Sequence, residues 1–433
     1  MVRMNHTKLS GEKPELSPLS LQSTWDGASW LVVHIDTSCA DLRNPSPKLL
    51  WAVHQAMLEA FSMLGVHPAG KRGLLKVHIG EPNCITRMRP EYTKASALFL
   101  REMGTSAVVC GDTTVAYTGP RGHKENPSSD VSSYMELARR HGWSADGPAG
   151  APFVVLDRPS TQLPGQFEFA EEEVRHEVSG INQYRDFYMS GGFAAADFVF
   201  NHAHLTLHGL AGLAGCVKSL AMGCSSLKGK LRMHMSLLPF FDPDLCTGCG
   251  QCIEHCPENA LTLSEAHSAP EVDPNLCIGC GECQAVCINQ AVRIEEKDVR
   301  DWQRGKGTFS SRIVDYTMGL MHGRWQRTVH VLHMYSITRL CDCVNTRQEP
   351  IVTSDLGFLV GRNPFAVDLV SSQTLTRALR EEGSTDFRPL IRSAETSAEY
   401  SEKNYGIPIQ AEIRRISCKD FSPAPSGGHW VRE

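Results

Sequence analysis

Eight cysteines between positions 246 and 287 constrain this chain more than any other feature. Cys246, Cys249, Cys252 and Cys256 follow the spacing C-x2-C-x2-C-x3-C, and Cys277, Cys280, Cys283 and Cys287 repeat it 31 residues later. The repeat reaches beyond the thiols: Asp242-Pro243 recurs as Asp273-Pro274, Gly248 as Gly279, Gly250 as Gly281 and Ala260 as Ala291. Sixteen cysteines in a short secreted chain would suggest disulfides. A chain of 433 residues can bury a core without such staples, and no export signal is visible at its N-terminus. Metal or catalytic use of the thiols is therefore the better reading.

This duplicated run resembles a bacterial-type ferredoxin module carrying two [4Fe-4S] clusters. Two intervening residues let a tight loop bring consecutive thiolates onto three irons of one cubane, and the glycines let backbone amides turn towards the sulfides. In such modules the fourth cysteine of each run reaches the other cluster. Cluster one is thus expected on Cys246, Cys249, Cys252 and Cys287, and cluster two on Cys277, Cys280, Cys283 and Cys256. Cross-ligation would tie together a segment too small to bury much apolar surface. Zinc sites also use Cys-x2-Cys, but three cysteines at that spacing plus a fourth, twice over, fit zinc poorly. Ile288 stands where the second run would usually have proline, which loosens a turn and removes no ligand.

The module is expected at 241–297, inside an α/β chain. Residues 1–28, rich in Ser, Pro, Lys and Glu, read as a disordered leader, and 417–433 as a loose tail. Between them, 29–240 and 298–416 are expected to form the first and completing parts of one domain. Short β-branched runs at 31–35, 74–79, 107–110, 153–156 and 197–201 read as strands. Stretches 47–64, 90–103 and 131–141 read as helices, the first with Ser46 as N-cap and Pro47 at the first position. After the module, 327–337 and 350–360 are strand-like and 365–380 helical. The expected fold class is α/β: a parallel or mixed sheet with helices on both faces, interrupted by a small α+β ferredoxin-like module.

Composition removes several functions. With 43 basic and 48 acidic residues the net charge of −5 offers no footprint for nucleic acid and no polybasic membrane anchor. No apolar run approaches the roughly 20 residues that span a bilayer, and neither a Sec nor a twin-arginine signal is present. A cytoplasmic location is expected.

Ligands of open α/β sheets bind beyond the carboxyl ends of the strands, and three reactive clusters fall there: Gly80 to Cys84, Gly111 to Arg121, and Asn201 to Gly209. His202, His204 and His208 are candidate acid–base groups or metal ligands. Gly209, Gly212 and Gly215 lead to Lys218 in a turn that could cradle an anion at a helix N-terminus, with Lys218 a candidate catalytic residue. Cys341-Asp342-Cys343, followed by Asp355, suits a soft metal, and Cys216 or Cys224 could complete such a site. Cys341 and Cys343 are expected close to the 202–224 segment, since strands flanking an insertion can share a sheet. For Cys39, Cys84, Cys110 and Cys418 simple burial is the better reading.

Taken together, the segments Val77 to Pro82, Arg89 to Tyr92, Asp112 to Arg121, His208 to Lys218, Met222 to Cys224 and Lys228 to Leu231 resemble the domain of unknown function 362 family in its form with an inserted ferredoxin domain. The resemblance covers roughly 30–385. It implies an iron–sulfur protein and supplies no substrate. The expected activity is an oxidoreductase whose clusters relay electrons between a redox partner, such as a ferredoxin or reductase, and a site in the α/β domain that takes a small-molecule substrate. The alternative is a non-catalytic electron carrier or a cluster or metal delivery scaffold.

Overall fold

The computed structural model describes residues 30–37, 40–234, 238–256, 259–263, 269–273, 276–277, 282–294, 309–347, 350–384 and 387–421. The expected leader lies outside these residues, as does most of the expected tail.

β1 (Leu31–Asp36), α1 (Pro47–Met63), β2 (Arg72–Lys76), α2 (Lys94–Glu102), β3 (Ala107–Asp112), α3 (Ser132–Arg140) and β4 (Phe153–Val155) alternate along the first third of the chain. A hairpin of β5 (Glu173–Glu177) and β6 (Asp186–Ser190) leads through α4 (Gly191–Ala195) into β7 (Phe198–His204). β8 (Thr206–His208), β9 (Gly212–Ala214), α5 (Cys216–Ala221) and α6 (Leu227–His234) follow. The cysteine module contributes β10 (Pro239–Phe241), α7 (Gln251–Glu254), β11 (Leu261–Thr262), β12 (Glu271–Val272), α8 (Glu282–Ala285) and β13 (Val292–Ile294). Beyond it come α9 (Phe309–Met321), β14 (Thr328–Met334), β15 (Gly357–Gly361), α10 (Pro364–Glu381), α11 (Arg388–Tyr405) and β16 (Glu412–Ser417).

Eight strands form one mixed sheet in the order β16-β1-β15-β14-β7-β2-β3-β4. Only β15 runs against its neighbours. Sequence on both sides of the cysteine module thus completes a single sheet, with β14 from the far side pairing in parallel with β7 from the near side. Side chains alternate between two covered faces, as a period of two requires. Leu75, Val77 and Phe200 pack with α1, α2 and α3 on one face, while Leu74, Val109 and Val199 pack with α9 on the other.

Local chemistry explains the boundaries. Ser46 Oγ accepts the Leu49 amide at 3.2 Å with Pro47 opening α1, and Asn363 caps α10 the same way ahead of Pro364. The strand expected over 350–360 joins the sheet only from Gly357, with an isolated bridge of Ile351 to Thr338 before it. Before it, the Asp355 carboxylate binds the amides of Leu42 and Ser336, both at 2.9 Å, and holds the chain in a loop. Gly357 has φ +88°, and a Cβ there would meet the Ile35 carbonyl oxygen at 2.1 Å. The chain also does not loosen at Ser417, which pairs with Asp36 in the sheet, and Cys418 is buried. Among the described residues no helix is long and apolar enough to cross a membrane.

The duplication is visible as pseudo-symmetry. A shift of 31 residues carries β10 onto β12, β11 onto β13 and α7 onto α8. The pairings β10–β13 and β11–β12 are the two equivalent ones. Asp242 donates its amide to the Ala291 carbonyl and Asp273 donates to Ala260, each at 2.8 Å.

Candidate functional site

The carboxyl ends of β2, β3, β7 and β14 point to one edge of the sheet, and there a cavity of about 140 Å3 opens. Its walls carry Lys76, Asp112 and Arg121 from the β2 and β3 ends, His204 and His208 from the β7 side, Lys218 and Lys230 from α5 and α6, and Cys341, Asp342 and Cys343 from the loop after β14.

The Cys-Asp-Cys loop does converge on the 202–224 segment. Lys218 Nζ lies 3.3 Å from Cys341 Sγ, and the Cys343 amide donates to the same sulfur at 3.4 Å. The Cys343 thiol and the Lys218 charge bring Cys341 down to about 5 against the opposing effect of burial. Burial works against the Lys218 ammonium too, but the two sulfurs keep its pKa above that of an ordinary lysine. His204 donates from Nδ1 to Asp342 Oδ2 and from Nε2 to the Tyr335 carbonyl, both at 2.7 Å. Two acceptors require two ring protons, so His204 is an imidazolium. Burial lowers its pKa, but Asp342 outweighs burial and raises it. His208 is neutral: its Nδ1 accepts the amides of Leu210 and Ala211, and burial, then Lys218, push its pKa well down.

The opposite wall is an ion network. Asp112 takes Lys76 at 3.2 Å on one oxygen and Arg121 at 3.0 Å on the other, and Arg121 reaches on to Glu81 at 2.8 Å. All four side chains are at most 2 % exposed, so each charge depends on its partners. Lys230 differs. Its hydrogen bonds, both 2.8 Å, go to the neutral Thr113 Oγ1 and the Ser225 carbonyl. Burial lowers its pKa to about 8. Lys76 and Lys230 were not singled out from sequence as cavity groups. The available signal was a lysine inside the apolar run Leu74-Leu75-Lys76-Val77, where a charge needs a buried partner.

Several expected residues lie elsewhere. His202 shares the face of His204 but is locked in the core, its nitrogens bound to His333 at 2.9 Å and Ser96 Oγ at 3.0 Å. The anion cradle before Lys218 is already filled. The Asp368 carboxylate accepts the amides of Cys216 at 2.7 Å and Val217 at 3.0 Å, and a Cβ on Gly215 would meet it at 2.3 Å. Cys216 and Cys224 are buried away from the cavity lining, and Asp355 serves the loop before β15. It is His208 that joins Cys341 and Cys343, with one donor atom from each within 4.8 Å of the others.

In the module, Cys246, Cys249, Cys252 and Cys287 line one small cavity of about 20 Å3. Symmetry-equivalent amides donate to the fourth sulfur of each run, Ala260 to Cys256 at 3.3 Å and Ala291 to Cys287 at 3.2 Å. Cys280 lies outside the described residues. The module touches the larger cavity: a Cβ on Gly209, in its wall, would lie 3.2 Å from Gln284 Oε1 of α8. Arg339, two residues before Cys341, faces the Gln290 side-chain amide.

Fold and site define an α/β protein with a charged, thiol-bearing pocket at its strand ends and a duplicated cysteine module docked beside it. The chain belongs to the family described as domain of unknown function (DUF362), whose model matches residues 74–373 and so includes every cavity residue named above. No curated protein matches the chain.

Proposed function

We propose that the cysteine module is a two-cluster ferredoxin domain and that it exchanges electrons with the strand-end cavity, making the protein an oxidoreductase for a small anionic molecule. Cys246, Cys249, Cys252 and Cys287 would hold one [4Fe-4S] cluster, and Cys277, Cys280, Cys283 and Cys256 the other. Bound clusters supply one-electron transfer. The chain's own residues would supply the rest: Lys230 a charge for the substrate, the imidazolium of His204 and the ammonium of Lys218 protons at the far wall. An external ferredoxin or reductase would complete the circuit. A reducing compartment such as the cytoplasm would keep the module's thiols available for the clusters.

The observation that carries this reading is the contact of α8, which bears Cys283, with the cavity wall at Gly209. A carrier alone would need no buried, charged pocket at that contact. The test is anaerobic purification followed by iron and sulfide counting, with about eight irons expected per chain. The dithionite-reduced protein is then mixed with a panel of small carboxylates and phosphates. At least one should reoxidise the wild type and leave Lys218→Met reduced. Iron near zero, or no compound that separates the two proteins, overturns the proposal.

A further inference from the structure

We propose that His208, Cys341 and Cys343 bind one borderline divalent metal, of the zinc type, with a fourth position open to the cavity for an oxygen donor of the substrate. The donors come from two segments far apart in sequence, the end of β8 and the loop after β14, yet their ligand atoms lie within 4.8 Å of one another. A tetrahedral zinc with Zn–S of about 2.3 Å and Zn–N of about 2.0 Å asks for ligand separations below that limit. Two thiolates, one histidine nitrogen and an open position form a donor set that serves catalytic zinc.

The surroundings are those of a site whose ligands are held in place. His208 Nδ1 accepts the Leu210 and Ala211 amides, at 3.1 and 3.0 Å, so the ring proton sits on Nε2 and must leave when Nε2 takes the metal, the two amides then stabilising the imidazolate. The Cys343 amide braces Cys341 Sγ, and the Lys218 ammonium at 3.3 Å offsets the single negative charge that two thiolates and an imidazolate leave around a dication. Outer contacts of this kind orient ligands and tune the metal. All three ligands face the cavity that also holds Lys230. A bound anion could therefore place one oxygen on the metal and another on that ammonium. Loading must displace the Nε2 proton and any proton still held on the thiols, so binding is accompanied by proton release.

The site does not depend on the cluster assignment, and the experiment separates the two. Anaerobically purified protein is given one equivalent of Zn2+, gel-filtered in metal-free buffer, and analysed for zinc and iron together with zinc-edge X-ray absorption. The expected result is one zinc per chain with iron unchanged, protons released into a weakly buffered solution, and a shell of two sulfurs at about 2.3 Å with nitrogen or oxygen at about 2.0 Å. Cys343→Ser and His208→Ala should each lower retained zinc at least tenfold without changing iron, which also shows that they fold. Lys218→Met should keep the metal. Zinc lost on filtration overturns the proposal, as does a four-sulfur shell marking mis-metallated module cysteines. Equal iodoacetamide labelling of Cys341 and Cys343 with and without zinc overturns it too. A protein without iron that still shows the two-sulfur shell would sink the cluster reading and leave this one standing.

Discussion

Asp368 accepts the Cys216 amide at 2.7 Å, and that contact decides what the glycine-rich segment before Lys218 is for. The α5 N-terminus is closed by a carboxylate of the chain itself, from α10, so no external anion binds there. Lys218, two residues on, is left to face Cys341 across the cavity.

That cap has a pH signature. Burial raises the Asp368 carboxyl to about 7, although the two amides and the Cys216 thiol oppose it. Unfolded, the group ionises near 3.9. The folded state therefore holds more protons between about 4 and 7, and the contribution of Asp368 to stability falls as pH rises through that window. Asp368→Asn lacks the titration. Denaturation midpoints measured from pH 4.5 to 8 should show wild type losing ground to the variant up to about pH 7 and running parallel above it. Parallel curves throughout would contradict the assignment.

Asp112 holds two buried cations, and removing it should be among the most damaging single changes in the chain. Asp112→Asn leaves Lys76 unpaired and Arg121 with Glu81 alone. The expected loss is about 3–5 kcal/mol. Combining it with Lys76→Met removes the stranded charge and should recover part of that loss. A double-mutant cycle in urea measures the coupling. Additive effects would mean that the two groups do not depend on each other.

The wound core was legible because local signals agreed with it. Ser46-Pro47 marks the start of α1, and the apolar β-branched runs of β1, β3 and β7 are where they are expected. Elements stabilised by long-range pairing carried no such signal. β16 reads Glu-Ile-Arg-Arg-Ile-Ser, exposed over its first four positions, and it is a strand only because β1 offers a parallel edge. β5 reads Glu-Val-Arg-His-Glu, equally polar, and is a strand because the apolar β6 pairs with it. At the site, the approach of Cys341 to the His208–Lys218 segment followed from the rule that parallel strand ends converge. The capping by Asp368 did not, because its donor and acceptor are 152 residues apart and no local pattern links them.

Lys230 should govern anion binding. It is a buried cation with neutral hydrogen-bond partners, titrating near 8. Malonate and inorganic phosphate should raise the thermal midpoint of wild type at pH 7, and less so above pH 8 as the ammonium is lost. Lys230→Met should weaken binding by about 10–100-fold, the range expected for one charge-assisted hydrogen bond. Unchanged affinity in that variant would place the anion elsewhere.

Cys287 tests the crossed ligand sets most directly. It belongs by sequence to the second run, but it lines a cavity with Cys246, Cys249 and Cys252 of the first. If the clusters are cross-ligated, Cys287→Ser and Cys252→Ser should damage the same cluster, and Cys283→Ser the other. Each variant is purified anaerobically and reduced with dithionite. Iron should fall from about eight towards about four per chain in all three. The electron paramagnetic resonance signal lost in Cys287→Ser should match the one lost in Cys252→Ser and differ from that lost in Cys283→Ser. A Cys287→Ser spectrum that instead matches Cys283→Ser would mean that each run of four binds its own cluster. The shared cavity of Cys246 and Cys287 would then be packing alone.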